Sequence, residues 1–334
     1  MTSARQRPAT ARAIGDGLKL HRHVARLDGH PYTVITLRPG TTARFATNNF
    51  HGTWHILTDL RGARLLARLA WGLAYQRAPG TVVLVDRAFL DTDPFEGNPS
   101  DPVALLRTDL TRLTATAGRE LRRFAARVTA PTGTVRWRTP GLDRALAEER
   151  AWLALPPHRT PPGPWRPRTR NRNLWAHEPY HRGEVCERLG GVVTFGARSD
   201  VLRDWAMEWH SLHGFYRGAD SSRQQWPGGE VQVWEGYAAR VSAARQGRRE
   251  VLASGAAPGV TSLERRRVLR DGEVEPPPLG CTLPGQAPVD LPPADLGPLI
   301  WSAGARIGRR MAAARHRPGP AVTASSGRMT HSRS

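Results

Sequence analysis

Four carboxylates, Asp86, Asp91, Asp93 and Glu96, follow closely on the apolar run Thr81 to Val85. Carboxylates clustered just past a buried strand can hold Mg²⁺ or Mn²⁺, and the ion can in turn clamp a substrate phosphate. The carboxyl ends of strands in open α/β sheets are also where ligands tend to bind. Asp86, Asp91 and Asp93 are therefore the candidate catalytic residues, with Asp91 and Asp93 as candidate metal ligands. Their chemistry is that of a metal-dependent enzyme on a phosphate-bearing or nucleotide-type substrate. Asp also serves turns, and this loop runs through Pro94, Gly97 and Pro99 to Asp101.

Asp91-Thr-Asp93 resembles the D-x-D spacing of metal-binding nucleotide-sugar transferases and of phosphatases with an aspartate nucleophile. The resemblance covers those two residues, since no four-residue apolar strand immediately precedes Asp91. His177-Glu-Pro-Tyr-His181 matches the H-E-x-x-H string of zinc peptidases, which needs both histidines on one helical face. Pro179 sits inside that turn and moves Glu178 away from helical geometry, so a solvated turn is expected instead. Glu208, His210 and His213 form a second metal-type set. His210 and His213 share a helix face at i, i+3 spacing, and Cys186 or His181 is available as a third ligand. Histidines beside a Trp-rich stripe are the plainer reading of that set.

Basic and aromatic residues interleave from His158 to Arg182. Arg166, Arg168, Arg170 and Arg172 can take phosphates bidentately, and Trp165 and Trp175 can stack on bases. This arm points to a polyanionic partner, nucleic acid preferred. An arginine-coloured proline linker accounts for the same composition. The helix from about Leu296 carries Arg306, Arg309 and Arg310, which suits an anionic membrane surface, but docking on the core uses the same apolar stripe and is expected instead. No Gly-rich phosphate loop, dinucleotide fingerprint or nucleophile elbow is present, which argues against ATPase, NAD-linked and ordinary serine-hydrolase chemistry.

The charge balance favours the polyanion. Basic residues number 49 against 29 acidic ones, a net of +20, and Lys19 is the only lysine. Arg, Ala, Gly, Pro and Trp are enriched together, as a GC-rich coding sequence would produce. That bias explains Arg over Lys, but it would supply Asp and Glu equally, so the excess positive charge remains a field for polyanions. Cys186 and Cys281 are too few for a disulfide framework. No apolar run reaches the ~18 residues of a membrane span, and a cytoplasmic protein is expected.

The elements that must position these residues are clearest from Trp54 to Asp86. Asp59 can cap a helix with Arg61, Arg64, Arg68 and Gln76 on one stripe and Leu60, Ala63, Leu66, Ala67, Ala70, Leu73 and Ala74 opposite. Pro79-Gly80 stops that helix, and Thr81 to Val85 reads as a strand covered on both faces. Tyr32 to Leu37 and Thr42 to Thr47 read as β-runs around the Pro39-Gly40 turn. A helix from Asp101 to Val128, a strand from Thr134 to Arg138 and a helix from Leu142 to Leu155 complete this half. Val192 to Phe195 reads as a strand, Ser199 as a helix cap with a helix to His213, and Val231 to Arg245 as helical in part. An Arg-interrupted edge strand is expected from Thr261 to Leu269. The fold class is α/β or α+β, a mixed sheet with covering helices. Residues 1–17 read as a disordered basic arm, 18–155 as one α/β half, 156–172 as a Pro/Arg-rich linker, 173–317 as a second half with a C-terminal amphipathic helix, and 318–334 as a disordered tail.

Overall fold

The computed structural model describes residues 18–50, 52–127, 130–154, 184–212, 221–225, 229–253 and 297–315. Within them lie six α-helices and two mixed sheets. The larger sheet begins with a hairpin of β1 (Lys19–Leu27) and β2 (His30–Thr36), turned at Asp28 and Gly29, both at positive φ. β5 (Thr81–Val85) runs parallel to β2, β6 (Val103–Arg107) antiparallel to β5, and β9 (Val192–Ala197) parallel to β6. β7 (Gly133–Arg136) and β8 (Val185–Leu189) close the two ends, giving the order β7-β1-β2-β5-β6-β9-β8. Outward from the central β5–β6 pair, each side repeats one pattern: a parallel neighbour and then its antiparallel hairpin partner.

The smaller sheet has the order β10-β11-β4-β3, from β3 (Phe45–Phe50), β4 (Thr53–Thr58), β10 (Ser221–Gln225) and β11 (Gly229–Val233). β4 and β11 pair in parallel although they are far apart in sequence. The stretches 18–155 and 173–317 therefore interleave: each sheet takes strands from both, and Val193, Phe195 and Val231 share one core with Ile35, Ile56 and Val83. Pairing the free edges of β6 and β4 with β9 and β11 satisfies backbone groups that two separate halves would leave open.

One face of the large sheet packs on α1 (Leu60–Ala74) and α4 (Ser199–Ser211), with Leu66, Leu69, Leu73 and Trp209 fully buried. The Asp59 carboxylate accepts from the Gly62 N–H at 2.8 Å and so starts α1 where its spacing requires. Val34, Val82, Leu84 and Ala104 face the other way, onto Ala117 and Leu121 of α2 (Ala115–Ala126). All five residues of β5 are buried, because both its faces are covered. On the small sheet, Ala46 and Leu57 pack against Tyr237 and Val241 of α5 (Tyr237–Ala253). Val251 of α5 then meets Leu299, Ile300 and Ala303 of α6 (Gly297–Arg315). The apolar stripe of the C-terminal helix is thus used inside the fold. Among the described residues no helix is long and apolar enough to cross a membrane.

Several elements differ from their expected form. Val103 to Arg107 is a central strand and not the start of a helix, since Val-Ala-Leu-Leu is a continuous apolar run between β5 and β9; the helix waits for Thr114, whose hydroxyl accepts from Ala117 N–H at 3.0 Å. The helix α4 is preceded by Arg198 at the cap position, with no side-chain cap bond, and Ser199 is already helical. Val231 belongs to β11, and helix begins only at Tyr237. The runs around Pro39-Gly40, expected to form a hairpin or meander, enter different sheets and do not pair with each other. α3 (Leu142–Leu153) lies where expected. The edge strand expected from Thr261 to Leu269, the 156–172 linker and both terminal tails lie outside the described residues.

Candidate functional site

The acidic loop leaves β5 through a single 3₁₀ turn, Arg87–Phe89. Asp86 caps that turn, its carboxylate accepting from the Ala88 N–H at 2.8 Å. Burial raises the Asp86 pKa, and the Ala88 bond pulls it partly back. Asp91 is 11% exposed and receives two guanidiniums on one oxygen, Arg44 at 3.0 Å and Arg245 of α5 at 3.0 Å. Its own N–H donates to Phe45 C=O at 2.6 Å, so the loop runs against β3. Asp93 is buried, and its carboxylate accepts from Phe95 N–H at 3.0 Å and Glu96 N–H at 3.3 Å. Desolvation outweighs those two bonds and pushes its pKa up to about 6. Glu96 accepts from the Asn98 amide, and Asn98 in turn accepts from Arg248 of α5. Gly97 takes φ +66° and lies so close to Ala244 that a Cβ would sit 3.0 Å from its carbonyl oxygen.

These contacts make the loop a strap between β3 and α5. Asp91 and Asp93 reach different partners, and among the described residues no group of three His, Cys, Asp or Glu side chains is arranged to hold a metal ion. His210 lies on α4, well away in sequence and among other neighbours. His213 and the string His177 to His181 lie outside the described residues, as do Trp165, Arg166, Arg168, Arg170, Arg172 and Trp175.

A polar rung crosses the small sheet next to the strap. Asn48, His55 and Glu230 are cross-strand neighbours on β3, β4 and β11. His55 Nδ1 lies 2.9 Å from Asn48 Oδ1, and Nε2 lies 3.1 Å from Glu230 Oε2. A His–Glu pair is the material of acid–base catalysis. Here both ring nitrogens face acceptor oxygens and the ring is buried, so the rung orients the sheet and leaves no imidazole nitrogen for a substrate. Sequence reasoning missed it because His55 and Glu230 are separated by 175 positions.

Charges of both signs gather around His210, where α1, α3 and α4 meet: Arg68 pairs with Asp143, and Glu149 accepts from Ser211 at 2.9 Å. Arg64 and Arg68 come from the polar stripe of α1, Arg150 from the last turn of α3, and His210 from the end of α4. Burial lowers the His210 pKa first, and the charges of Arg64, Arg68 and Arg150 lower it further, with Asp143 acting weakly against them. Asp143 is 87% exposed and stands 3.9 Å from Arg68, a loose and solvated pair. Two indoles hold the frame behind this face: Trp71 donates to Pro140 C=O at 2.8 Å, and Trp137 to Arg68 C=O at 3.1 Å. The α1 stripe was legible as Arg61, Arg64 and Arg68, but the addition of Arg150 and His210 comes only from helix packing. No protein-family model matches this chain, and no curated protein or solved structure is significantly similar to it.

Proposed function

We propose that the protein binds a polyanion, nucleic acid preferred, through Arg64, Arg68 and Arg150 of α1 and α3 together with the arm that follows α3 in the chain. The observation that supports this reading is the set of Arg64, Arg68 and Arg150 whose charges act on His210, on helices that also carry Asp143 beside Arg68 and Glu149 beside Ser211. Like charges gathered on one face repel one another, and a multivalent anion relieves that repulsion. Arg150 precedes His158, where the arm begins, by eight residues, so α3 leads in sequence to the stretch that carries Arg166, Arg168, Arg170 and Arg172 with Trp165 and Trp175. Guanidiniums there take phosphates, and the indoles stack on unpaired bases. In this reading the protein acts in the cytoplasm, in keeping with its two cysteines.

Binding of the full chain to fluorescent single- and double-stranded oligonucleotides across a salt series tests this. Affinity is expected to fall steeply with salt. Replacing Arg64, Arg68 and Arg150 by Ser is expected to flatten the log–log salt slope by about 2. Replacing the four arm arginines is expected to weaken binding further. Absence of binding at low salt sinks the reading and leaves the net charge as an imprint of composition.

A further inference from the structure

The turn between β1 and β2 meets the loop that leads into α2, and a cleft of about 370 Å³ opens between them. Asp28, His30 and Tyr32 line it from the hairpin, and Arg112 and Thr114 from the loop. His30 and Tyr32 lie two apart on β2 and so share a face, the one that turns Tyr32 and Val34 toward α2. The cleft is therefore on the α2 side of the large sheet, across from α1 and α4.

Three hydrogen bonds between residues distant in sequence hold its walls. The buried Tyr32 donates its hydroxyl to Arg112 C=O at 2.6 Å, the Thr114 hydroxyl donates to Asp28 Oδ2 at 2.7 Å, and the Asp28 N–H donates to Glu120 Oε2 at 2.7 Å. The backbone at Arg112 and the carboxylate of Asp28 are thus fixed before anything binds. Their polar ends are left over. The Arg112 guanidinium and the His30 imidazole are exposed, and among the described residues neither has a hydrogen bond or ion pair, while Asp28 Oδ1 has no donor. α2 begins at this wall with no acidic residue in its first turn, so its dipole adds to the positive field.

We propose that this cleft binds a small phosphate ester carrying a free hydroxyl, the class of the sugar phosphates. Arg112 and His30 take the phosphate oxygens, and Asp28 Oδ1 accepts from the hydroxyl. An inorganic phosphate makes only the first set of contacts and a bare sugar only the second. Ligand sites begin at about 300 Å³, so the volume suits one small molecule and not a dinucleotide. The cleft shares no residue with the arginines around His210 and does not depend on them.

The test uses the full chain with ribose 5-phosphate, inorganic phosphate and ribose as probes, followed by calorimetry and by the imidazole shift of His30, assigned with His30→Gln. Ribose 5-phosphate is expected to saturate, about tenfold more tightly than inorganic phosphate, and to move the His30 resonance. Arg112→Ser leaves the carbonyl that holds Tyr32 and is expected to weaken ribose 5-phosphate by about tenfold or more. Asp28→Asn keeps an acceptor for Thr114 and suits the φ of 49°, and is expected to bring ribose 5-phosphate down to the level of inorganic phosphate. Circular dichroism confirms that each variant is folded. The Arg64→Ser/Arg68→Ser/Arg150→Ser variant is expected to bind ribose 5-phosphate as the wild type does, which separates this cleft from polyanion binding. No saturable binding, equal binding of ribose 5-phosphate and phosphate, binding that survives Arg112→Ser or leaves His30 unmoved, or loss in the triple variant overturns the proposal.

Discussion

Arg245 of α5 donates to Asp91 Oδ1 at 3.0 Å across 154 positions of chain. The same guanidinium reaches Thr92 Oγ1 at 3.1 Å, so one side chain holds the start of the acidic loop against the helix. Arg44 completes the arrangement from the β3 side at 3.0 Å. Both arginines are well exposed, which limits their worth. Asp91→Ala is expected to cost about 1–2 kcal/mol in urea denaturation. Hydrogen exchange in residues 91–101 is expected to quicken before the rest of the sheet opens. Unchanged exchange there shows that the strap is held by its backbone contacts alone.

Asp93 makes stability depend on pH. Its carboxyl titrates near 6 in the folded protein against 3.8 in the unfolded chain. The native state therefore keeps the proton more tightly between those values, and the favourable contribution is complete below about 3.8 and lost as pH rises through 6. Ionised and buried, the group costs about 3 kcal/mol. Asp93→Asn keeps the acceptor for Phe95 N–H and loses the longer bond from Glu96. Melting between pH 4 and 8 is expected to show a flattened profile for the variant and an equal or higher Tm at pH 8. A wild-type profile in the variant removes Asp93 as the cause.

His210 offers a readout of polyanion binding. In the free protein its pKa is lowered, by burial first and by Arg64, Arg68 and Arg150 next. A phosphate chain on that face neutralises the arginines and raises it. Binding therefore takes up protons and strengthens as pH falls. Imidazole chemical shifts of the histidines, followed against pH with and without oligonucleotide, are expected to show an upward shift for His210. A titration that does not move while the oligonucleotide binds places the contact elsewhere.

Gly72 faces the indole of Trp137, and a Cβ there would lie 2.7 Å from Cε2 and 2.8 Å from Cδ1. Gly72→Ala gains helix propensity of about 1 kcal/mol but overpacks the junction of α1 with Trp137, at about 1–3 kcal/mol. Net destabilisation is expected, seen as a lower urea midpoint with an altered Trp emission. Stabilisation would show that Trp137 moves freely.

The sequence by itself determined the elements whose signals are local. Asp59 as cap, the α1 stripe and the buried run Thr81 to Val85 rest on one helix period, one side-chain bond and one apolar run, and all three are as read. The C-terminal helix likewise follows from its own spacing. Val103 to Arg107 could not be told from helix, because a short run apolar on every side looks the same in either form until β5 and β9 flank it. The acidic loop was visible as a set of carboxylates, yet what each one does depends on Arg44, Arg245 and the backbone of Phe95, which only folding brings near. The same holds for Asn48, His55 and Glu230, and for the arginines around His210. Charge and composition are sums over residues and can be counted along a chain. A site is a matter of distances between distant residues, and those were decided when β9 and β11 joined sheets begun by the first half of the chain.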